Sequence, residues 1–167
     1  VDTIEYLPNE VRPGCAKQFD AQSDNLLREV MVTTDPPYYD NIGYADLSDF
    51  FYVWMRQALK GTYPKLFRTM LVPKEEELIA APYRHDGSVK KARDFFEDGM
   101  FKSCCQIYTY AQEEIPVTIY YAFKQSESEA DEGIGNKTAS TGWETMLSAI
   151  IRANFSITGT WPMRTES

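Results

Sequence analysis

The sequence predicts an α/β fold with a mostly parallel sheet and flanking helices. Short apolar runs alternate with longer segments of helical periodicity, and this alternation is typical of such folds. The first run, from about Glu29 to Thr34, is rich in β-branched residues, and the second spans 116–123. A last strand, parallel or antiparallel, is expected from about Phe155 to Trp161, because apolar and small polar residues alternate there.

Three segments have the spacing of amphipathic helices. They run from about Asp46 to Lys60, from about Lys91 to Gln112, and onward from a capping box formed by Thr141 and Glu144. Apolar residues of the first are interpreted as a core-facing stripe: Leu47, Phe50, Phe51, Trp54, Met55, Ala58 and Leu59. The second and third helices have similar faces, which include Phe95, Phe96, Met100, Cys104, Trp143, Met146 and Ile150.

The predicted elements form a single partial domain over residues 1–167. An irregular insertion interrupted by glycine and prolines is expected at 61–90, and a mobile acidic loop at 124–139. The chain opens without a methionine, which suggests a piece of a longer protein.

Composition limits the possible functions. With 43% hydrophobic and 14% aromatic residues, the chain can bury a core, and no stretch approaches the length of a transmembrane helix. Its three cysteines form no disulfide framework and fit a reducing cytoplasm, and a single histidine, His85, argues against a His-based metal site. A net charge of −8 gives no basic footprint for nucleic acid, so most phosphate contacts would come from elsewhere in a parent protein.

The most informative stretch is Asp35-Pro36-Pro37-Tyr38, directly after the first predicted strand. Two prolines remove two backbone donors and disfavour helix at the preceding residue, so nearby carbonyls can face a ligand. Ligands bind at the carboxyl ends of strands in open α/β sheets. A carboxylate, free carbonyls and a flat ring suit a planar substrate that bears an amine. The alternative is a simple turn in which Asp35 is a cap and Tyr38 is partly buried.

This stretch resembles the catalytic motif of S-adenosylmethionine-dependent amino-methyltransferases, above all those that modify adenine N6 in DNA. Residues 35–54 are similar to a group of large predicted adenine-specific DNA methylases, some of which carry a zinc ribbon. Segments 82–85, 92–97 and 160–166 resemble later blocks of the same group. The resemblance implies the C-terminal half of a Rossmann-like, class I methyltransferase fold, usually in a restriction or phage-defence setting.

The resemblance also implies roles for individual residues. Asp35 and the Pro36 carbonyl would accept hydrogen bonds from the amine, Pro37 would complete the rigid turn, and Tyr38 would stack on a base that has left the duplex. Independently of the resemblance, the loop after the turn would bring Tyr39, Asp40, Asn41 and Tyr44 to the base. Arg84 and His85 belong to a basic cluster that would contact phosphate, and the favoured alternative for this cluster is a solvated helix start. Gly14, Cys15 and Ala16 stand where relatives line the adenine of the donor, although relatives often have an acid or hydroxyl at the position of Cys15.

A complete enzyme of this kind has a glycine-rich turn after an earlier strand, and nothing before Asp35 provides it. We therefore expect S-adenosylmethionine to be bound mostly by the remainder of the methyltransferase chain, with no metal, and DNA to be bound through the parent protein. Cytosine N4, RNA and glutamine amides are alternative substrates, although glutamine enzymes usually have Asn in place of Asp35. A non-catalytic scaffold domain that retains the fold is the alternative from another class.

Overall fold

A computed structural model of the chain describes residues 14–39, 42–122 and 134–163, with side chains from residue 142 onward in the last range. The fold of these residues is mixed α/β, with three α-helices and a two-stranded parallel sheet. In chain order the elements are β1 (Thr33–Thr34), α1 (Tyr44–Leu59), a 3-10 helix (Pro82–Arg84), α2 (Val89–Tyr110), β2 (Thr118–Ile119) and α3 (Ile134–Arg152). None of the helices in this part of the chain combines the length and apolarity that crossing a membrane requires.

The predicted parallel character of the sheet is confirmed for its two strands. Thr33 pairs with Thr118 and Thr34 with Ile119, and a parallel bridge between Val30 and Ala111 precedes this pair. Both strands are shorter than predicted and are not fully buried. Side chains alternate between exposed and half-buried along them, whereas parallel sheets are normally covered on both faces.

The core lies between α2 and α3. It consists of Leu78, Phe96, Met100, Cys104, Met146, Ala149 and Ala153. Phe96 and Met146 are its largest fully buried side chains, so the predicted apolar faces of the second and third helices are confirmed. A β-carbon at Gly99 would collide with Leu78, and the glycine therefore lets the connection before α2 pack directly on that helix.

The interpretation of the α1 stripe as core is wrong. Phe50, Phe51 and Trp54 are 69%, 64% and 64% exposed. The opposite, polar face of α1 binds the connection that follows it: Asp49 accepts hydrogen bonds from Val72 N at 2.8 Å and Lys74 Nζ at 2.7 Å. Periodicity identified an apolar face correctly, but it does not specify what covers that face.

The third helix begins earlier than predicted. It starts at Ile134, inside the segment expected to be a mobile loop, so Thr141 lies within the helix instead of at its N-terminus. A helix that is already anchored by packing can extend through adjacent residues at little cost. The rest of the expected loop, residues 124–133, lies outside the described residues.

The predicted last strand is also wrong, because residues 155–161 form no regular secondary structure. The helix before them ends in a Schellman motif. Asn154 has a φ of 67°, its N–H donates to Ile151 O at 3.1 Å, and Phe155 N–H donates to Ile150 O at 3.2 Å. Beyond this cap the chain is largely exposed, with Trp161 81% exposed, and it pairs with neither described strand.

Candidate functional site

The Asp35–Tyr38 turn follows β1 directly, at the carboxyl end of the parallel pair. Tyr120 N donates to Thr34 O at 2.8 Å, so the backbone is fixed immediately before the turn. Because β2 runs parallel to β1, the residues that follow β2 emerge at the same edge of the sheet. The turn therefore has two supports: its own strand and the chain after β2.

Asp35 and Tyr38 interact with each other inside the turn. The Tyr38 hydroxyl donates to Asp35 Oδ1 at 3.1 Å. Burial, followed by this hydrogen bond to a carboxylate, raises the pKa of Tyr38. Asp35 itself is exposed, and its carboxylate is accessible to a ligand.

The two prolines determine which backbone groups the turn can offer to a ligand. Neither has an amide hydrogen, and within the described residues nothing donates a hydrogen bond to the carbonyl of Pro36 or of Pro37. Pro36 is half-buried and Pro37 is exposed. The corner thus presents carbonyl acceptors next to the Asp35 carboxylate.

Tyr39 is fixed to the body of the protein. Its N–H donates to the Tyr121 hydroxyl at 3.1 Å, and its carbonyl accepts from Ala80 N at 3.1 Å. Its ring packs edge-on against Phe96, with ring centroids 5.3 Å apart. Tyr39, which was expected to contact substrate, thus joins the turn to the core. Asp40 and Asn41, the next two expected residues, lie outside the described residues.

Tyr44 begins α1 and is 57% exposed. Arg84, which was expected to contact phosphate, instead binds other residues of the protein. Its Nη2 lies 2.8 Å from both Asp46 Oδ2 and Glu77 Oε2, and its Nη1 donates to Lys74 O at 2.9 Å. Burial opposes the charge of Arg84, but the hydrogen bond to Asp46 and the ion pair with Glu77 outweigh it and raise the pKa of the guanidinium. In turn, Arg84 and then Tyr83 lower the pKa of Asp46.

This ion-pair network fixes the start of α1. The Glu77 Oε1 atom accepts from Ala45 N at 3.0 Å and so caps the helix from a distant part of the chain. Glu77 Oε2 forms an ion pair with Arg84 and accepts no well-directed hydrogen bond from the described residues. Gly43 lies against the same cluster, and a β-carbon there would be 2.8 Å from Asp46 Oδ2 and from the Tyr83 hydroxyl. The network therefore positions the chain that enters α1 just after the candidate turn.

The other expected residues are not brought to the turn. His85 is half-buried, and its ring lies 4.9 Å from that of Phe95. Gly14, Cys15 and Ala16 are exposed and have no regular secondary structure. No hydrogen bond or ring contact within the described residues joins this segment to Asp35 or Tyr38.

Tyr121 belongs to the site, and the sequence analysis did not identify it. Its ring meets that of Tyr38 edge-to-face, with centroids 5.4 Å apart and planes at 86°. Its hydroxyl accepts from Tyr39 N and lies 3.5 Å from Gly142 O in α3. Burial raises the pKa of Tyr121, and the hydrogen bond from Tyr39 partly offsets that effect. The only signal in the sequence was a tyrosine at the end of the second apolar run.

The site offers no evident metal centre: within the described residues, no group of three or more His, Cys, Asp or Glu side chains could hold an ion. A shallow cavity of about 250 Å³ on the connection after α1 is lined by residues 62–66 and includes no residue of the turn.

No protein-family model matches the chain, and no curated protein or solved structure is significantly similar to it.

Proposed function

We propose that this chain is the catalytic-motif half of a Rossmann-like methyltransferase that modifies the N6 amine of adenine in DNA. The observation that carries the proposal is the Asp35–Tyr38 corner. An accessible carboxylate, proline carbonyls that accept no hydrogen bond from the described residues and a tyrosine ring lie together at the carboxyl end of a parallel strand pair. The motif resemblance adds the identity of the substrate.

The chemistry requires acceptors more than a strong base. An aromatic amine is a weak nucleophile because its lone pair is delocalised into the ring. In the proposed complex one N–H donates to Asp35 and the other to the Pro36 carbonyl, which directs the lone pair out of the ring plane. These preorganised acceptors also stabilise the positive charge that develops on nitrogen, and the proton leaves to solvent after the methyl group has arrived.

Tyr38 would serve as the stacking platform for the flipped base. Base–aromatic stacking contributes about 1–3 kcal/mol. In the structure the Tyr38 hydroxyl occupies one oxygen of Asp35, so the incoming amine would share the carboxylate with this hydroxyl or displace it.

The donor, S-adenosylmethionine, would supply the methyl group, but the described residues do not fit it. The expected segment around Cys15 is exposed and is not brought to the turn. A place for the remaining half is nevertheless available beside β1. On the side of β1 that faces β2, backbone N–H groups donate to the carbonyls of Val30, Val32 and Thr34. The residues between them point their backbone N–H and C=O groups to the other edge of the strand. On that edge the backbone N–H and C=O groups of Met31 and Thr33 have no hydrogen-bond partner within the described residues. A further parallel strand would pair with them.

A test compares Asp35→Ala with Asp98→Ala in the full-length protein that carries this sequence. Asp98 is an exposed carboxylate that, within the part of the chain that the structure describes, pairs with Lys102 one turn along α2, so its variant controls for loss of charge. We expect methyl transfer to DNA to be lost in Asp35→Ala and retained in Asp98→Ala, with unchanged thermal unfolding. Mass spectrometry of digested DNA identifies the product. Undiminished N6-methyladenine in Asp35→Ala would refute the role of the corner, and N4-methylcytosine as the product would refute the choice of base.

A non-catalytic scaffold is the second candidate, favoured by the net charge of −8 and the exposed aromatic face of α1. It predicts that the parent protein methylates no DNA, RNA or protein substrate, and that Asp35→Ala leaves every activity of the parent unchanged.

A further inference from the structure

We propose that Tyr121 is a positioning residue for the Asp35–Tyr38 turn, through a hydroxyl that fixes the backbone after the turn and a ring that orients Tyr38. Its contribution to the reaction rests on the proposed function. The contact itself rests on geometry alone.

The turn is bracketed by two consecutive residues of the chain after β2. On its N-terminal side, Tyr120 N–H donates to Thr34 O at 2.8 Å. On its C-terminal side, Tyr39 N–H donates to the Tyr121 hydroxyl at 3.1 Å. The motif lies between these two anchors, and its prolines cannot donate backbone hydrogen bonds of their own. The second anchor is therefore an important restraint on where the turn ends.

The ring of Tyr121 restrains Tyr38 directly. The planes of the two rings meet at 86°, and their centroids are 5.4 Å apart. This is an edge-to-face arrangement, which aromatic pairs prefer. Tyr38 is also held by its hydrogen bond to Asp35. One contact thus acts on the phenol oxygen and the other on the ring plane, the plane on which a base would stack.

Tyr121 is itself held by α3. Its hydroxyl accepts from Tyr39 N and lies 3.5 Å from Gly142 O, the position of an acceptor for its own proton. The Trp143 ring lies 6.2 Å away and is inclined at 33°. A β-carbon at Gly142 would be 3.0 Å from the β-carbon of Tyr39, so the helix approaches the turn closely at this point. Tyr121 therefore connects the turn to the α2–α3 core.

The test removes the hydroxyl and keeps the ring. Tyr121→Phe is compared with Tyr120→Phe in the full-length protein, because the neighbouring Tyr120 is 49% exposed and contacts the turn through its backbone. The first measurement is hydrogen exchange of the Tyr39 amide, resolved to single residues by mass spectrometry. We expect exchange to accelerate about fivefold or more in Tyr121→Phe, the effect of losing one ordinary hydrogen bond, and to stay unchanged in Tyr120→Phe.

The second measurement is methyl transfer to DNA. We expect kcat to fall about tenfold in Tyr121→Phe with the KM for DNA unchanged, because small displacements of a reacting group lower kcat strongly. A role in packing alone would lower the midpoint of thermal unfolding without this selective loss of kcat.

The experiments distinguish failure of the positioning role of Tyr121 from failure of the proposed methyl-transfer chemistry. Equal kcat in the two tyrosine variants, or equal exchange of the Tyr39 amide, overturns the positioning role even when Asp35→Ala abolishes methylation. Faster exchange in Tyr121→Phe together with full methylation by Asp35→Ala overturns the proposed chemistry and leaves the backbone contact standing.

Discussion

Replacing Glu77 with alanine should destabilise the chain, because this one carboxylate has two structural partners. Its Oε1 accepts from Ala45 N in the first turn of α1, and its Oε2 pairs with Arg84 at 2.8 Å. The side chains of Glu77 and Arg84 are only 16% and 13% exposed, so solvent screens the pair less than it would at the surface.

The magnitude follows from these contacts. Loss of a capping bond costs about 1 kcal/mol, and leaving a largely buried polar group short of a partner costs about 1–3 kcal/mol. Arg84 keeps Asp46 as a partner, so the cost stays below that of a fully orphaned buried charge. We expect Glu77→Ala to lower the free energy of unfolding by about 2–4 kcal/mol. Glu77→Gln, which keeps a neutral acceptor for the cap, should lower it by about 1–2 kcal/mol.

Urea unfolding of the chain, followed by tryptophan fluorescence, measures this difference. Glu76→Ala is the matched control, because Glu76 is an exposed neighbour of the same type, and it should lie within about 0.5 kcal/mol of the unmodified chain. An equal slope against denaturant in all variants would show that only stability has changed. If Glu77→Ala unfolded at the same urea concentration as Glu76→Ala, the network would not stabilise α1.

Two further predictions concern titratable groups. The hydrogen bond from Lys74, followed by that from the backbone N–H of Val72, lowers the pKa of Asp49 below its ordinary value of 3.8. Ionised Asp49 therefore stabilises the fold at pH values above 3.8, and this stabilisation is lost as the pH falls through the lower pKa of the folded state. Asp49→Asn should flatten the acid limb of a stability–pH curve below about pH 4, and an unchanged limb would contradict the contact. Cys15 is exposed and Cys104 is buried, and burial raises the pKa of Cys104 to about 11. At pH 8 only about one in a thousand Cys104 thiols would be ionised, so a disulfide reagent should label Cys15 promptly and Cys104 only after unfolding; equal labelling rates would show that α2 is not packed as described.

Sequence patterns predicted the structure correctly where the conformation is determined locally or where the surface that covers an apolar face can also be recognised in the sequence. The apolar face of α2 was predicted correctly because another long apolar helix face exists to cover it, and Phe96 and Met146 meet in the core. The corner at Asp35 was predictable because two prolines after a β-branched run restrict the backbone locally. Tyr121 was missed because its hydrogen bond joins residues 82 positions apart, and no local signal encodes such a contact.

The orientation of α1 shows why its aromatic stripe could not be assigned from periodicity. Asp46, Asp49 and Arg56 lie on one side of the helix and bind Arg84, Lys74 and Thr69 of the connection that follows, while Glu77 caps its first turn. Turning the stripe inward would break these ion pairs and leave partly buried charges without partners, which is costly. The described core cluster, formed by Leu78 and residues of α2, α3 and the cap that follows α3, includes no residue of α1. Short-range polar contacts therefore decide which face of α1 is exposed, and the hydrophobic pattern does not.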